Sequence, residues 1–178
     1  MTQLAVRRAV PEDAPAIGAV HVATWRSAYP GILPDAYLAS LSVEREAAGY
    51  AASIRIGEGV FVATIGSPGR VVGFTSARRA RVGTPADGEV QTLYLLDDYR
   101  ELGGGRKLLT KAGAYLAGLG CRSAYLWVLR DNPSRFFYEH LGGRPTGESS
   151  IHWAGAALIQ AAYVWEPIER LWGGDGKA

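Results

Sequence analysis

Three consecutive glycines between a strand pattern and a helix pattern are the feature that most constrains this chain. The segment VQTLYLLDDYRELGGGRKLL (90–109) runs from an apolar strand into Gly103, Gly104 and Gly105 and directly into a helix. Such a turn exposes several backbone N–H groups at a helix N-terminus, where the dipole adds about half a positive charge. Arg100 and Arg106 add further positive charge nearby. The segment therefore predicts a binding site for a phosphate group.

Two common phosphate-binding loops do not match this segment. A Walker loop needs a glycine-lysine pair followed by serine or threonine, whereas Lys107 here follows Arg106 and precedes a leucine. A dinucleotide fingerprint needs a third glycine three places after the second, where Leu108 stands. Dinucleotide binding is kept as an alternative, which retention of NAD would reveal.

Length and composition limit the classes of protein that remain. The chain has 178 residues, 48% hydrophobic and 20% charged, which predicts one globular domain over 1–170 with a flexible tail at 171–178. The formal net charge of +2 argues against general nucleic-acid binding. The single cysteine, Cys121, cannot form an internal disulfide, and the three histidines show no metal-ligand spacing. We expect a cytoplasmic protein without a metal site, a signal peptide or a membrane span.

The order of the elements indicates the fold class. A short strand is followed by helices that begin near Pro11, Asp35 and Ser42, where the serine is a candidate cap. A hairpin with the turn GSPG (66–69) and the strand before the glycines come next. A helix, the strand AYLWVL (124–129), the helix SRFFYEHL (134–141) and a terminal strand pair at 146–148 and 157–165 complete the chain. This order predicts an α/β fold with a mixed sheet, in which the strands on either side of the glycine helix are parallel.

Two segments in this order resemble the GNAT superfamily of N-acetyltransferases. Arg100, two residues, Gly103, one residue and Gly105 follow the pattern of that superfamily's coenzyme A pyrophosphate loop. The later stretch LWVLRDNPSRFFYEHLGG (126–143) is similar to its second motif, and the opening residues resemble the first helices of bacterial members. The resemblance covers about residues 4 to 167. It implies the single-domain GNAT fold (acyl-CoA N-acyltransferase fold), with a mixed sheet and helices on both faces.

The resemblance also implies where acetyl-CoA would bind. The backbone of Leu93, Tyr94 and Leu95 would pair with the pantetheine amides like an added strand, which requires the parallel strands to separate at that point. The loop would hold the pyrophosphate through its backbone, and Asn132 would contact the cofactor in addition to capping the following helix. The residues implied for the loop are Arg100, Glu101, Leu102, Gly103, Gly104, Gly105 and Arg106. At position 101 a glycine or a basic residue is commoner in the superfamily, so one phosphate contact is in doubt.

Two catalytic residues are implied by the same resemblance. Tyr138 matches the tyrosine that protonates the departing thiolate of coenzyme A, although it could instead be a core aromatic residue beside Phe136 and Phe137. Glu89 matches a glutamate that deprotonates the amine, often through water, although it could simply be a polar residue at the end of a strand. Acetyl transfer would then proceed by direct attack of the amine in a ternary complex, without an acylated side chain.

The acceptor is less constrained by the sequence than the cofactor. Trp25 and Tyr29 lie where the superfamily forms the wall of the acceptor pocket and would suit an aromatic-lined site for a cation. His152 or Trp153, expected in a loop before the last strand, could line its entrance. A small-molecule primary amine is the first expectation. The alternatives are a protein or peptide N-terminus or lysine, and a non-catalytic acyl-CoA-binding module. A homodimer through the exposed terminal strand is also possible.

Overall fold

The computed structural model describes residues 4–172 and contains one seven-stranded mixed sheet. The strand order is β1-β2-β3-β4-β5-β7-β6, and only the β4–β5 pair is parallel. The strands are β1 (Leu4–Arg8), β2 (Gly59–Ile65), β3 (Arg70–Arg79), β4 (Gly88–Leu95), β5 (Ala124–Leu129), β6 (Arg144–Trp153) and β7 (Ala156–Trp165). The predicted α/β class and mixed sheet are confirmed.

Five helices cover the sheet. They are α1 (Ala14–Ala28), α2 (Asp35–Ser40), α3 (Val43–Arg55), α4 (Gly104–Gly118) and α5 (Arg135–His140). Alternation along β2 sends Val60 and Val62 into a core with Ile17 of α1, whereas Ala63 packs in a core with Leu108 of α4. Since successive strand residues point to opposite faces, α1 and α4 lie on opposite sides of the sheet. The predicted helices on both faces are therefore present.

Local signals in the sequence account for several boundaries. The hydroxyl of Ser42 accepts a hydrogen bond from the N–H of Arg45 at 3.3 Å and caps α3, as predicted. The GSPG segment connects β2 to β3, which pair in antiparallel fashion from Gly59↔Ala77 to Ile65↔Arg70. The helix expected at Pro11 begins as a 3₁₀ turn, Pro11–Asp13, before α1.

The parallel strands separate soon after they begin to pair. Their register contains two positions, Gly88↔Ala124 and Glu89↔Tyr125. On its other edge β4 stays paired with β3 as far as Gly73↔Leu95. Backbone groups of β4 beyond Glu89 that point away from β3 therefore have no strand beside them. This gap positions the candidate site.

Two expectations about the C-terminal part need correction. The strand expected at 146–148 is the ten-residue β6, and the two-residue turn Ala154-Gly155, with both φ angles positive, connects it to β7. Trp153 is thus in a strand rather than a loop. Leu171 is buried in a core cluster with Leu116 of α4, so the domain continues past the predicted boundary at 170. The rest of the predicted tail, 173–178, lies outside the described residues. β6 is an edge strand, so one of its edges has no strand beside it within the sheet that residues 4–172 form. The homodimer expected through this terminal strand stays a prediction.

Candidate functional site

A cavity of about 510 Å³ lies where β4 and β5 separate. Its walls come from β4 at 90–95, β5 at 126–129, α1, α5 and the β6–β7 hairpin. Six of the eleven residues predicted to bind the cofactor line this cavity: Leu93, Tyr94, Leu95, Arg100, Gly105 and Asn132. The gap leaves an open strand edge of the kind that the family resemblance implied for pairing with an extended ligand.

The glycine turn forms one end of this cavity. Gly103 has φ +72°, in the left-handed region that glycine adopts without strain, and it is the residue before α4. The first intrahelical bond runs from the N–H of Lys107 to the carbonyl of Gly103 at 3.2 Å. The N–H groups of Gly104, Gly105 and Arg106 therefore have no partner within the helix. They form the donor array expected for an anion.

The side chains of the turn divide between the cavity and the surrounding protein. Arg100 lines the cavity, and its guanidinium contacts the carboxylate of Asp97 at 2.8 Å. Asp97 also accepts a hydrogen bond from Ser27, which links the turn to the end of α1. The ammonium group of Lys107 donates to the carbonyl of Leu4 at 2.9 Å and is therefore used in holding β1. Five of the seven predicted loop residues do not line the cavity: Glu101, Leu102, Gly103, Gly104 and Arg106.

Gly105 allows a close contact between helices. A β-carbon built at this position would lie 2.8 Å from the ring of Phe137 in α5. Glycine is therefore needed here for the packing of α5 over the N-terminus of α4, as well as for access of a ligand to the backbone. The sequence indicated the second reason and missed the first.

Asn132 has both a capping contact and a place on the cavity wall. Its amide oxygen accepts a hydrogen bond from the N–H of Ser134 at 2.9 Å, which fixes the turn before α5. Its amide nitrogen donates to the hydroxyl of Tyr29 at 3.4 Å. Both residues are 8% exposed and line the cavity. Two segments more than a hundred residues apart thus meet at the cavity.

Tyr138 lies on α5, 7% exposed, and also lines the cavity. Its ring packs against Trp165 and Tyr163, so the residue belongs to the core as well as to the site. Burial, and secondarily the nearby Tyr29, raises the pKa of its phenol above the ordinary value. The hydroxyl therefore stays protonated near neutral pH and is able to donate a proton at the cavity wall.

The structure does not bring Glu89 to the cavity. Its carboxylate accepts a hydrogen bond from Nε of Arg78 at 3.1 Å, and Glu89 is absent from the cavity walls. The reason is its position on β4: Glu89 belongs to the short stretch still paired with β5, before the strands separate. Direct contact between Glu89 and an amine in the cavity is therefore not supported. Its role through a chain of water molecules stays a prediction.

The end of the cavity near α1 is aromatic and apolar. The rings of Trp25 and Tyr29 have centroids 4.9 Å apart, and those of Trp25 and Trp153 are 6.0 Å apart. Both predicted acceptor residues line the cavity, as does Trp153, whereas His152 does not. The wall also contains residues that sequence analysis did not single out: Leu33, Ile151, Leu158 and Gln160. For Ile151, Leu158 and Gln160 the available signal was period-two alternation in the last two strands, which does not indicate what the strand faces. Leu33 lies in the loop between α1 and α2, where no periodic pattern applies.

These residues fit a ligand that is extended and carries an anion at one end. The cavity has the unpaired edge of β4 on one wall and the free N–H groups of the fifteen-residue α4 at one end. The guanidinium of Arg100 also lines it. Within residues 4–172, no cluster of three histidine, cysteine or acidic side chains could hold a metal ion. None of the helices in the described range is long and apolar enough to cross a membrane.

Comparison with known proteins gives consistent results. Residues 22–143 match the model of the acetyltransferase (GNAT) family. YuaI of Bacillus subtilis (strain 168), an uncharacterized N-acetyltransferase, is 36% identical over 168 residues, which are 93% of this chain and 95% of that protein.

Solved structures of low sequence identity share the fold. A GCN5-related N-acetyltransferase from Rhodopseudomonas palustris is 20% identical, with a TM-score of 0.70 over 93% of this chain and 97% of its own. The PaiA N-acetyltransferase from Thermoplasma acidophilum, solved in complex with coenzyme A, is 21% identical, with a TM-score of 0.65 over 89% of this chain and 98% of its own.

Proposed function

Because this chain belongs to the acetyltransferase (GNAT) family, we propose that it transfers the acetyl group of acetyl-CoA to the primary amine of a small molecule, by direct attack in a ternary complex. One observation carries the proposal: a single cavity joins the anion-binding helix end to an aromatic end, with Tyr138 on its wall. The two ends differ in chemistry as two substrates of one reaction would require.

The glycine end would hold the coenzyme A portion of the cosubstrate. Free N–H groups at the start of α4 would bind the pyrophosphate, with Arg100 beside them and with Glu101, Leu102 and Arg106 in the same turn. The edge of β4 at Leu93 to Leu95 would pair with the pantetheine amides. Bound acetyl-CoA would supply a thioester, whose acyl carbon is open to attack by an amine.

The chain's own residues would position the groups and move the protons. Backbone N–H groups on the unpaired edge of β4 would polarise the acyl oxygen. The amine nitrogen would form a bond to the acyl carbon while the carbon–sulfur bond breaks. Tyr138 would donate its proton to the departing sulfur and regain one from water, because burial raises the pKa of its phenol and disfavours the phenolate. Asn132 would hold Tyr29 through its amide nitrogen, and so position the aromatic wall beside the reacting groups.

The amine must also lose protons. Within residues 4–172 no carboxylate or histidine lines the cavity. Desolvation in such an environment lowers the pKa of an amine. The amine would therefore lose its first proton to water on entering the cavity. The proton released after attack would also pass to water, and would pass through Glu89 only where a water chain reached it.

The test combines a binding and a turnover measurement on the full chain. Calorimetry with acetyl-CoA should show binding. Thiol release should be faster with small amines than with peptides that present a free N-terminus or a lysine. Thiol release with peptides alone would establish the protein-acceptor alternative. Binding without turnover for any acceptor would favour the acyl-CoA-binding module.

A further inference from the structure

The acceptor end of the cavity has an unusual combination of aromatic surface and missing charge. We define the acceptor wall as Trp25, Tyr29, Leu33, Ile151, Trp153 and Leu158, all of which line the cavity. None of these side chains can ionise near neutral pH. Arg100 is the one cationic side chain lining the cavity within residues 4–172, and it pairs with Asp97 at the glycine end.

The absence of charged groups on the acceptor wall limits the charge that a substrate can carry there. An amino acid would bring a carboxylate, which needs a cation or an array of donors to replace its water. A diamine or polyamine would bring a second ammonium group, which is fully compensated out of water only beside a carboxylate. The aromatic faces of the acceptor wall and the neutral amide of Gln160, which also lines the cavity, would compensate only part of that cost. The acceptor wall offers no charged partner to either kind of molecule. Molecules with a second charged group are therefore expected to be bound poorly.

The aromatic surface indicates what the rest of the substrate is. Trp153 is 43% exposed although it packs edge-to-face on Tyr37, so a large apolar surface remains open at the cavity. Aromatic rings pack favourably against such surfaces in offset or edge-to-face arrangements.

We propose that the acceptor is a monoamine with an aromatic body and no second charged group. This inference rests on the proposed function and specifies its substrate. The aromatic body would lie against Trp25 and Trp153, and the amine would point toward Tyr138. The products would be the N-acetylated amine and the free thiol of coenzyme A. The nitrogen's protons would pass to water, and Tyr138 would regain from water the proton that it gives to the sulfur.

The first experiment compares three amines of matched structure. 2-Phenylethylamine carries the aromatic body alone, phenylalanine adds a carboxylate to it, and 1,4-diaminobutane replaces it with a second amine. Thiol release is measured with the full chain at saturating acetyl-CoA, and kcat/KM is expressed per neutral amine to remove differences in amine pKa. We expect 2-phenylethylamine to exceed both others at least tenfold.

The outcomes separate this inference from the proposed function. Equal or better turnover of phenylalanine or 1,4-diaminobutane overturns the inference and leaves acetyl transfer to small amines standing. Binding of acetyl-CoA without turnover of 2-phenylethylamine also overturns it. Failure to bind acetyl-CoA in calorimetry overturns the proposed function itself.

The second experiment changes the wall. Trp153→Ala should raise the KM for 2-phenylethylamine at least tenfold, about 1.4 kcal/mol, and leave acetyl-CoA affinity unchanged. Phe136→Ala is the matched control, because Phe136 is 58% exposed and does not line the cavity. Equal KM values for the two variants would overturn the placement of the aromatic body.

The third experiment adds a negative charge to the acceptor end, which has no charged side chain of its own within residues 4–172. Gln160 lines the cavity, and its amide donates to Ser149 at 3.1 Å. Gln160→Glu keeps the shape and places a carboxylate on the cavity lining, two residues after Leu158 of the acceptor wall. It should raise kcat/KM for 1,4-diaminobutane relative to 2-phenylethylamine by about fivefold, the scale of a partly exposed ion pair. An unchanged ratio would show that charge at this wall does not select the acceptor.

Discussion

The two ends of the cavity are built from different parts of the polypeptide. The glycine end is made by one continuous segment, and its donors are backbone N–H groups whose direction follows from the helix that they begin. The acceptor end is made by side chains from α1, the following loop and the β6–β7 hairpin. The proposed coenzyme A site thus depends on the backbone geometry of one local segment. The proposed amine site depends on side chains that only the tertiary fold brings together.

Removal of the Tyr138 hydroxyl should have the largest effect, because this group serves the reaction at the junction of the two ends. Tyr138→Phe should lower turnover by about 10²–10⁴, the usual range for loss of a general acid. The affinity for acetyl-CoA in calorimetry should stay unchanged, since the ring and its packing remain.

Tyr163→Phe is the matched control for that variant. Tyr163 is also buried and packs on Tyr138, but its hydroxyl bonds Glu139 at 2.8 Å and it does not line the cavity. Turnover of Tyr138→Phe equal to that of the control would reduce Tyr138 to a packing residue, with the proton coming from water.

The same contrast explains which features were predictable. The glycine turn, the cap at Ser42 and the GSPG hairpin depend on residues close in sequence, and the structure has all three. Trp25 and Tyr29 were placed at the acceptor end through family resemblance. Leu33 and Leu158 were not, because a leucine in a loop or a strand carries no mark of the surface it will face. Glu89 was implied by the same resemblance, which does not indicate where β4 and β5 separate.

A titratable group behind the acceptor end should make stability depend on pH. His21 stacks on Trp25, and burial lowers its pKa from 6.5 to about 4 despite Glu46 at 3.7 Å. Because the folded state binds this proton less readily than the unfolded state, the stabilisation is present above pH 6.5 and is lost as the pH falls toward 4. At 1.36 kcal/mol per pKa unit, about 2 kcal/mol should be lost between pH 7 and 4.5.

Denaturant unfolding at pH 7 and 4.5 measures this loss. In His21→Gln the drop in the free energy of unfolding should be smaller than in the unmodified protein by about 2 kcal/mol. His140→Gln, which changes an exposed histidine on α5, should leave the drop unaltered. Equal drops in all three proteins would mean that His21 titrates normally in the folded state.

A side chain at Gly105 should disturb the glycine end alone. Gly105→Glu adds bulk against Phe137 and negative charge beside the expected pyrophosphate. Affinity for coenzyme A should fall at least tenfold, about 1.4 kcal/mol. Gly118→Glu adds the same charge to the same helix at a position where a β-carbon would meet no atom within 4 Å, and should bind normally. Unchanged affinity in folded Gly105→Glu would remove the assignment of coenzyme A to this end.

The smallest effect is expected at Glu89, and it tests whether the acceptor end needs a base at all. Near pH 7.4 only about one in a thousand molecules of an amine with a pKa of about 10.4 is neutral and able to attack. If the amine is deprotonated by water, kcat/KM should rise about tenfold per pH unit until the amine's own pKa is reached. Glu89→Gln should then keep this profile and stay within about threefold of normal turnover, far from the 10²–10⁴ expected for loss of a base. A large drop at pH 7 that recovers at high pH would instead show that a water chain connects Glu89 to the cavity, in spite of its pairing with Arg78.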